Sequence, residues 1–559
     1  MIHDGPIRRF NVRVPIRDGI TLAADLVLPD SLPAPAVVMR TPYGRSGEPQ
    51  TQRADVFAKA GYCACWVDVR GRGDSDGAFD PYRNDGLDGV DVIAWAAAQD
   101  WCDGSVATFG GSYSGRIQWL TALHDPPALR AMIVLVTPSD PFVENPTGVP
   151  GPMYAHWFRM TDGRAMQYTE AVDWMKVYRH RPLIELDAAA GFHSELWREV
   201  CRHQTLDEWW EPVRYQHRIG EIDVPVLHIS GWYDDEEIGT PANFAALRAA
   251  GRTRQRLLMG PWGHQVNTGR TLGELDFGHD SVIDLDAAMT GFLDEMVRGR
   301  RPAEPSPPAR IFLMGANRWL DLAGWPPPGS AELAWHLDSD GHANSRYGDG
   351  RLRDGPAPAQ SPPDEWIHDP DRPVPFVTPA SSVQVGGPDD YSGVETRGDV
   401  LVYTSEPLAT PLDIVGPVRL VAFVSTSAAD TDVTAKLVDL HPGGFAQRLC
   451  DGVVRLRYRA GHELAQPVQP DTVYEVEVVM WDTAQRLHPG HCIRLEVASS
   501  AHPKFAVNLG TGGDESEATD STLAHNRLHH DPTRPSRLIV TVLEGAADGS
   551  AGASPLGDR

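Results

Sequence analysis

The chain has 559 residues, 41% hydrophobic and 23% charged, with 53 Gly and 47 Pro. That length implies about three domains, or one large domain with additions, and a core that needs no disulfide or metal to hold it. The composition excludes a collagen-like, coiled-coil or wholly disordered chain, and 76 Asp+Glu against 50 Lys+Arg give a net charge of −26, which disfavours nucleic acid or an anionic membrane as partner.

From residue 10 to about 140, buried-strand runs alternate with helical spacing. Residues 36–40, 62–69, 106–109 and 132–136 read as strands, and 51–60, 86–98 and 115–124 between them as helices. This alternation predicts an α/β fold with a mostly parallel sheet covered by helices. Residues 140–218 break the pattern. They are rich in Trp, Met, Glu and Arg, with helical spacing at 165–178, 193–202 and 206–214. A helical insertion between two sheet strands sits over the carboxyl ends of the strands, where ligands bind, so this segment reads as a cap. Residues 224–230 and 256–260 resume the strand pattern, and 283–297 reads as an amphipathic helix ended near Gly299 and Pro302.

Past a Pro-rich stretch at 303–310 come short alternating runs: 309–314, 332–337, 418–426, 434–440, 453–459, 473–480, 492–499 and 536–543. Regular short strands without helical filler predict a β-sandwich or jelly roll. The predicted division is an α/β domain at 1–140 and 219–303, a cap at 141–218, a β domain at 304–545 and a mobile tail at 546–559.

The longest apolar runs, such as 131–136, are far too short for a membrane span. The start, Met1-Ile2-His3-Asp4-Gly5, lacks the basic-then-apolar pattern of a signal peptide. Cys63, Cys65, Cys102, Cys201, Cys450 and Cys492 are scattered with no Cys-x-x-Cys pair. Buried, reduced thiols, no zinc site and a cytoplasmic setting are therefore expected.

The strongest local signal is Phe109-Gly110-Gly111-Ser112-Tyr113-Ser114-Gly115, between a predicted strand and a predicted helix. A serine on such a tight turn is held in strained geometry with its hydroxyl exposed, and its neighbours must be small. The pattern departs mildly from Gly-x-Ser-x-Gly, since Ser114 stands at plus two. A serine nucleophile needs a base and an acid to orient it. Two later strands run into Gly231-Trp232-Tyr233-Asp234 and Pro261-Trp262-Gly263-His264, in the chain order Ser, Asp, His. Ser112 is thus the candidate nucleophile, His264 the proton shuttle and Asp234 its orienting carboxylate. His228, inside a strand, reads as a core histidine.

These motifs resemble the cocaine esterase/glutaryl-acylase family of serine hydrolases, which also includes α-amino-acid ester hydrolases and is related to X-Pro dipeptidyl-peptidases. The likeness also rests on Arg40-Thr41-Pro42-Tyr43-Gly44-Arg45, the run from Asp68 to Gly77, Trp101-Cys102-Asp103-Gly104, and Ser425 to Asp432 with Lys436 to Asp439. It implies an α/β-hydrolase fold with an inserted helical cap and a C-terminal β jelly-roll domain. It further implies an oxyanion hole made by the Tyr43 hydroxyl and the Tyr113 N–H. Arg70, Arg72 and Asp74 read instead as a buried ion-pair and turn network behind the site.

The run Asp235-Glu236-Glu237 resembles the acidic positions by which α-amino-acid ester hydrolases hold a substrate ammonium, with a third carboxylate from Glu144 or Asp140. The same acids would also suit a helix N-terminus. Tyr154, Trp157, Phe158 and Trp232 are candidate walls of an acyl pocket. The expected activity is cleavage of carboxylic esters or activated amides through an acyl-enzyme, including α-amino-acid esters or β-lactam side-chain acyl groups, with no metal or cofactor. Acyl transfer to an amine, an X-Pro aminopeptidase and a non-catalytic binding protein are the alternatives. The partner is a small ester or amide, and the resemblance implies a homo-oligomer.

Overall fold

The computed structural model describes residues 6–302, 305–358, 361–379 and 386–543; the segment 546–559, expected to be a mobile tail, lies outside them. Among the described residues, the first sheet contains β1 (Ile7–Pro15), β2 (Thr21–Leu28), β3 (Ala34–Thr41), β4 (Cys63–Asp68), β5 (Cys102–Gly111), β6 (Leu129–Leu135), β7 (Val226–Gly231) and β8 (Gln255–Gly260). Their spatial order is β1-β2-β4-β3-β5-β6-β7-β8. Neighbours from β4 to β8 run parallel, while β1 and β2 form an antiparallel edge. Every residue of β3 and β4 is buried, as strands covered on both faces must be.

Helices α1 (Glu48–Lys59), α2 (Asp85–Ala97) and α3 (Tyr113–Ala122) cover this sheet. Successive strand residues serve opposite layers. Val38 joins a core with Ile93 and Trp119, whereas Val37 joins one with Phe57, Trp66 and Met289. His228 is buried as expected, with Nε2 3.0 Å from Gln255 Oε1, and burial pushes its pKa down to about 4.

The segment between β6 and β7 is less helical than its spacing predicts. It contains α4 (Tyr154–Met160), unforeseen in the sequence, and the short helices Trp174–Val177 and Glu195–Arg202. The run 165–178 is helical only from Trp174. The Trp174 indole donates to the Thr169 carbonyl, and the Asp173 side chain caps the Lys176 N–H, so local polar contacts start the helix late. At 206–214 only the 3₁₀ turn Glu211–Val213 forms, around Pro212, which has no N–H to give.

One expectation needs correcting. Strand Ala309–Leu313, grouped in the sequence with the later β domain, pairs in parallel with β8, and Arg318–Leu322 then pairs with it. Alternation shows that a strand exists but not which sheet receives it. Beyond these, eleven strands among the described residues form the C-terminal β domain. Its core holds Leu420, Leu437, Val478, Leu495 and Val540. The long strand Leu412–Thr426 pairs with three others and bends at Pro417–Arg419, next to Gly416 at φ 138°.

A buried guanidinium ties the two domains together. Arg455 pairs with both oxygens of Asp432 at 2.8 and 3.0 Å and donates to the carbonyls of Thr147 and Ala506. Thr147 belongs to the segment between β6 and β7. Asp432→Ala leaves this charge buried without its counter-ion, so we expect a stability loss of about 3–5 kcal/mol. A lower urea midpoint with an unchanged m-value would register it; a midpoint within error of the parent would contradict it. All six cysteines are unpaired, five of them buried. No helix among the described residues is long and apolar enough to cross a membrane.

Candidate active site

Ser112 stands between the end of β5 and the start of α3, at φ 55° and ψ −127°. A non-glycine residue at positive φ is strained and persists only where its surroundings over-determine it. The Ser112 N–H donates to the carbonyls of Leu135 and Val136, both at 3.0 Å, and its own carbonyl accepts from the N–H groups of Gly115 and Arg116. The neighbours must be small. A Cβ on Gly110 would lie 2.5 Å from Ser114 Cβ, and one on Gly115 would lie 2.9 Å from Thr137 Oγ1. Ser114 is buried against Gly110, which leaves Ser112 as the hydroxyl facing the cavity.

The turns after β7 and β8 lock together through Trp262. A Cβ on Gly231 would lie 2.1 Å from the Trp262 carbonyl, and one on Gly260 would meet the Trp262 ring at 2.2 Å. The Trp232 N–H donates to Gly260 O and the Tyr233 N–H to Trp262 O. This close approach sets His264 Nδ1 2.8 Å from Asp234 Oδ1. The other Asp234 oxygen accepts from Ser230 Oγ at 2.7 Å, and the carboxylate is wholly buried. Ser112 and His264 line one cavity of about 240 Å³ over the carboxyl ends of the strands.

Burial alone would lower the His264 pKa, but the Asp234 carboxylate, then Glu236 and Asp235, raise it to about 10. The acids answer in kind. Burial pushes Asp235 to about 6, Glu144 to about 7 and Glu236 well above the ordinary carboxyl range. The cavity therefore concentrates carboxyl groups that lack enough positive charge to keep them all ionised.

Tyr43 Oη accepts a hydrogen bond from Trp157 Nε1 at 3.0 Å, so its own O–H remains to donate elsewhere. Burial pushes the phenol pKa up to about 12. Tyr113 is the first residue of α3, where an N–H has no acceptor within the helix. Its ring is fixed below the cavity by a 2.5 Å bond to Asp85 and by stacking on Tyr82. Behind them, Arg70 pairs with Asp88 and Asp18, while Arg72 gives its protons to the carbonyls of Pro42, Thr161 and Gly163. Arg72 thus clamps the Tyr43 turn through carbonyls rather than through a carboxylate. Asp74 is exposed and pairs with Arg45.

Glu144, Trp157 and Glu236 line the cavity with Asp235, Tyr154 and Phe158. Two of the sequence candidates are placed elsewhere. Trp232 is packed in the core, donating to the Phe312 carbonyl at 2.9 Å beside Trp325. Glu237 turns away from Glu236 into a smaller adjoining cavity with Asp451, Asp482 and Lys504. Asp140 reaches the cavity, but its carboxylate is engaged by the Tyr215 and Gln216 N–H groups. The sequence reading missed Lys504 and Phe505, which the β domain inserts into the cavity wall, and Trp209 and Trp210 on the other side. Lys504 donates to Asp451 Oδ2 at 2.7 Å, and burial lowers its pKa. No motif marks it, because only the docking of the two domains brings it there.

The profile of the X-Pro dipeptidyl-peptidase (S15 family) matches residues 18–266, and that of the X-Pro dipeptidyl-peptidase C-terminal non-catalytic domain matches residues 302–539. Cocaine esterase from Rhodococcus sp. (strain MB1 Bresler) is 32% identical over 569 aligned residues, 96% of this chain and 98% of that protein. Two solved structures, an α-amino acid ester hydrolase and an aminopeptidase from a marine sediment Thaumarchaeota archaeon, each superpose with a TM-score of 0.86 at 25% identity, covering 96% of both chains. The chain belongs to the cocaine esterase family of serine hydrolases and is a serine ester hydrolase.

Proposed function

We propose that Ser112 attacks the ester carbonyl, His264 takes its proton and returns it to the leaving alcohol, and Asp234 holds the imidazole in the required tautomer. The bond between Asp234 and His264 Nδ1, beside a cavity that also exposes the strained Ser112, carries this reading. With Nδ1 engaged, Nε2 is the nitrogen left for proton transfer. The Tyr43 hydroxyl and the Tyr113 N–H receive the oxyanion, each worth roughly 3 kcal/mol of the barrier. Trp157 aims the Tyr43 proton by occupying the phenol oxygen from the other side. Water then releases the acyl group, and an amine competing with water would turn the same site to acyl transfer. The free thiols agree with a reducing, cytoplasmic setting.

The substrate class within this reading is the α-amino-acid ester. Glu144, Asp235 and Glu236 converge on the cavity wall, and their raised pKa values express charge that awaits a cation. A substrate ammonium beside them takes over as counter-charge to the carboxylates. It also lowers the proton affinity of His264, so the neutral base arises when substrate is bound. Glu237 and Trp232 have no part in this subsite.

A pair of p-nitrophenyl esters, one of an α-amino acid and one of its N-acetyl form, tests the proposal. The free amine should be preferred, and Glu236→Gln should cut that preference at least about tenfold, the size of one lost charge-assisted contact. An unchanged preference in the variant removes the ammonium subsite. The aminopeptidase among the structural relatives gives a second reading, in which the same acids hold a peptide N-terminus. Release of p-nitroaniline from an X-Pro anilide would separate the two.

A further inference from the structure

The β domain carries a cluster of ligating side chains that ester hydrolysis does not use. Two of its turns meet at one end. Residues 441–445 join strands Asp432–Leu440 and Ala446–Arg455, and residues 488–491 join Tyr474–Leu487 to Cys492–Ala498. The pairing of Leu440 with Cys492 brings the turns side by side. His441 comes from the first turn and His491 from the second, with ring centroids 4.4 Å apart. The Asp439 carboxylate, 1% exposed, reaches both rings: Oδ1 lies 2.7 Å from His491 Nδ1 and Oδ2 3.8 Å from His441 Nε2. One donor atom from each of the three residues lies within 4.8 Å of the other two.

We propose that Asp439, His441 and His491 form a binding site for a divalent transition-metal ion of the zinc class. Two imidazoles and one carboxylate make a donor set suited to zinc, cobalt or nickel, too rich in nitrogen for calcium or magnesium. The carboxylate is also oriented from outside, since Gln485 Nε2 donates to Asp439 Oδ2 at 3.2 Å, and such outer contacts fix ligand orientation at metal centres. Gln447 Oε1 lies 3.0 Å from His441 Nε2, the nitrogen that faces Asp439, and gives it up when the ion binds. His488 Nε2 is engaged by the Gly315 carbonyl, so the fourth position falls to water. The His441 side chain is 29% exposed, which leaves the ion a way in. On binding, the ion takes the Nδ1 lone pair of a neutral His491 imidazole, which keeps its one proton on Nε2, while the Asp439 carboxylate turns from the imidazole N–H to the ion. Gln447 also donates to the Tyr233 hydroxyl, adjacent to Asp234, so the site stands one side chain from the turn bearing the proposed catalytic carboxylate.

The Asp234, Asp235 and His264 group has ligand spacing as well, so the experiment must tell the two apart. Full-length protein, stripped with EDTA and desalted, is titrated with Co²⁺ and followed by visible d–d absorption, then with Zn²⁺ by calorimetry. One equivalent should bind saturably, with weaker affinity at acid pH, where protons compete for the imidazoles. His441→Gln and His491→Gln, each checked for folding by thermal melt, should weaken binding by at least about tenfold. His264→Gln should bind as the parent does. Absence of saturable binding, parental affinity in the folded His variants, or loss of binding in His264→Gln overturns the site; none of these results bears on esterase activity.

Discussion

Ser112→Ala should lower kcat/KM for a p-nitrophenyl ester by roughly 10⁵-fold or more, the scale seen when a serine nucleophile is removed from an assembled triad. The same substitution should abolish covalent labelling by a fluorophosphonate. The expectation rests on the elbow itself. The positive φ of Ser112, the carbonyls that hold its N–H and the space closed around Gly110 and Gly115 leave one hydroxyl projecting into the cavity. The backbone geometry does not depend on the hydroxyl, so the variant should fold and keep its melting temperature. Ser114 is buried and cannot substitute for it. A label that survives in Ser112→Ala would move the nucleophile to another residue and remove the proposed mechanism.

Asp234→Asn should cost roughly 10⁴-fold in kcat while leaving KM nearly unchanged. An amide at this position can donate toward His264 Nδ1, which favours the tautomer whose Nε2 carries the proton and cannot accept one from serine. The variant also changes the pH profile, and the sign follows from the charges. After burial, which lowers the His264 pKa, Asp234 is the first cause that raises it. Removing that charge lowers the pKa, so the neutral imidazole persists to more acid conditions. The acid limb of the residual rate should therefore move to lower pH. A limb that stays in place would mean that His264 is not the group titrating in the rate. The Ser230 hydroxyl, which donates to the other Asp234 oxygen, keeps the side chain oriented in the variant.

Local chemistry accounts for what was legible beforehand. The elbow could be read because its turn tolerates only small residues beside the serine. Asp234 and His264 could be read because each follows an apolar strand whose end must lie at the ligand edge of a parallel sheet. Trp232 shows the limit. An aromatic residue two positions before a candidate acid suits a pocket wall equally well, but here its indole is required by the Phe312 carbonyl in the core. Glu236 and Glu237 are adjacent in the chain and alike in chemistry, yet they face different cavities. A turn sends neighbouring side chains in opposite directions, and composition carries no record of which goes where.

The chain on its own determined the parallel sheet, the placing of Ser112, Asp234 and His264 each just after a strand, and the switch to short strands past residue 300. Each of these is a local periodicity or a steric demand within a few residues. The tertiary structure alone decided that Lys504 and Phe505 wall the cavity shared by Ser112 and His264, that Ala309–Leu313 extends the first sheet, and that His441 meets His491. These depend on contacts between segments far apart in the chain, which arise only when two separately folded surfaces bury their apolar faces against each other and close the polar gaps between them.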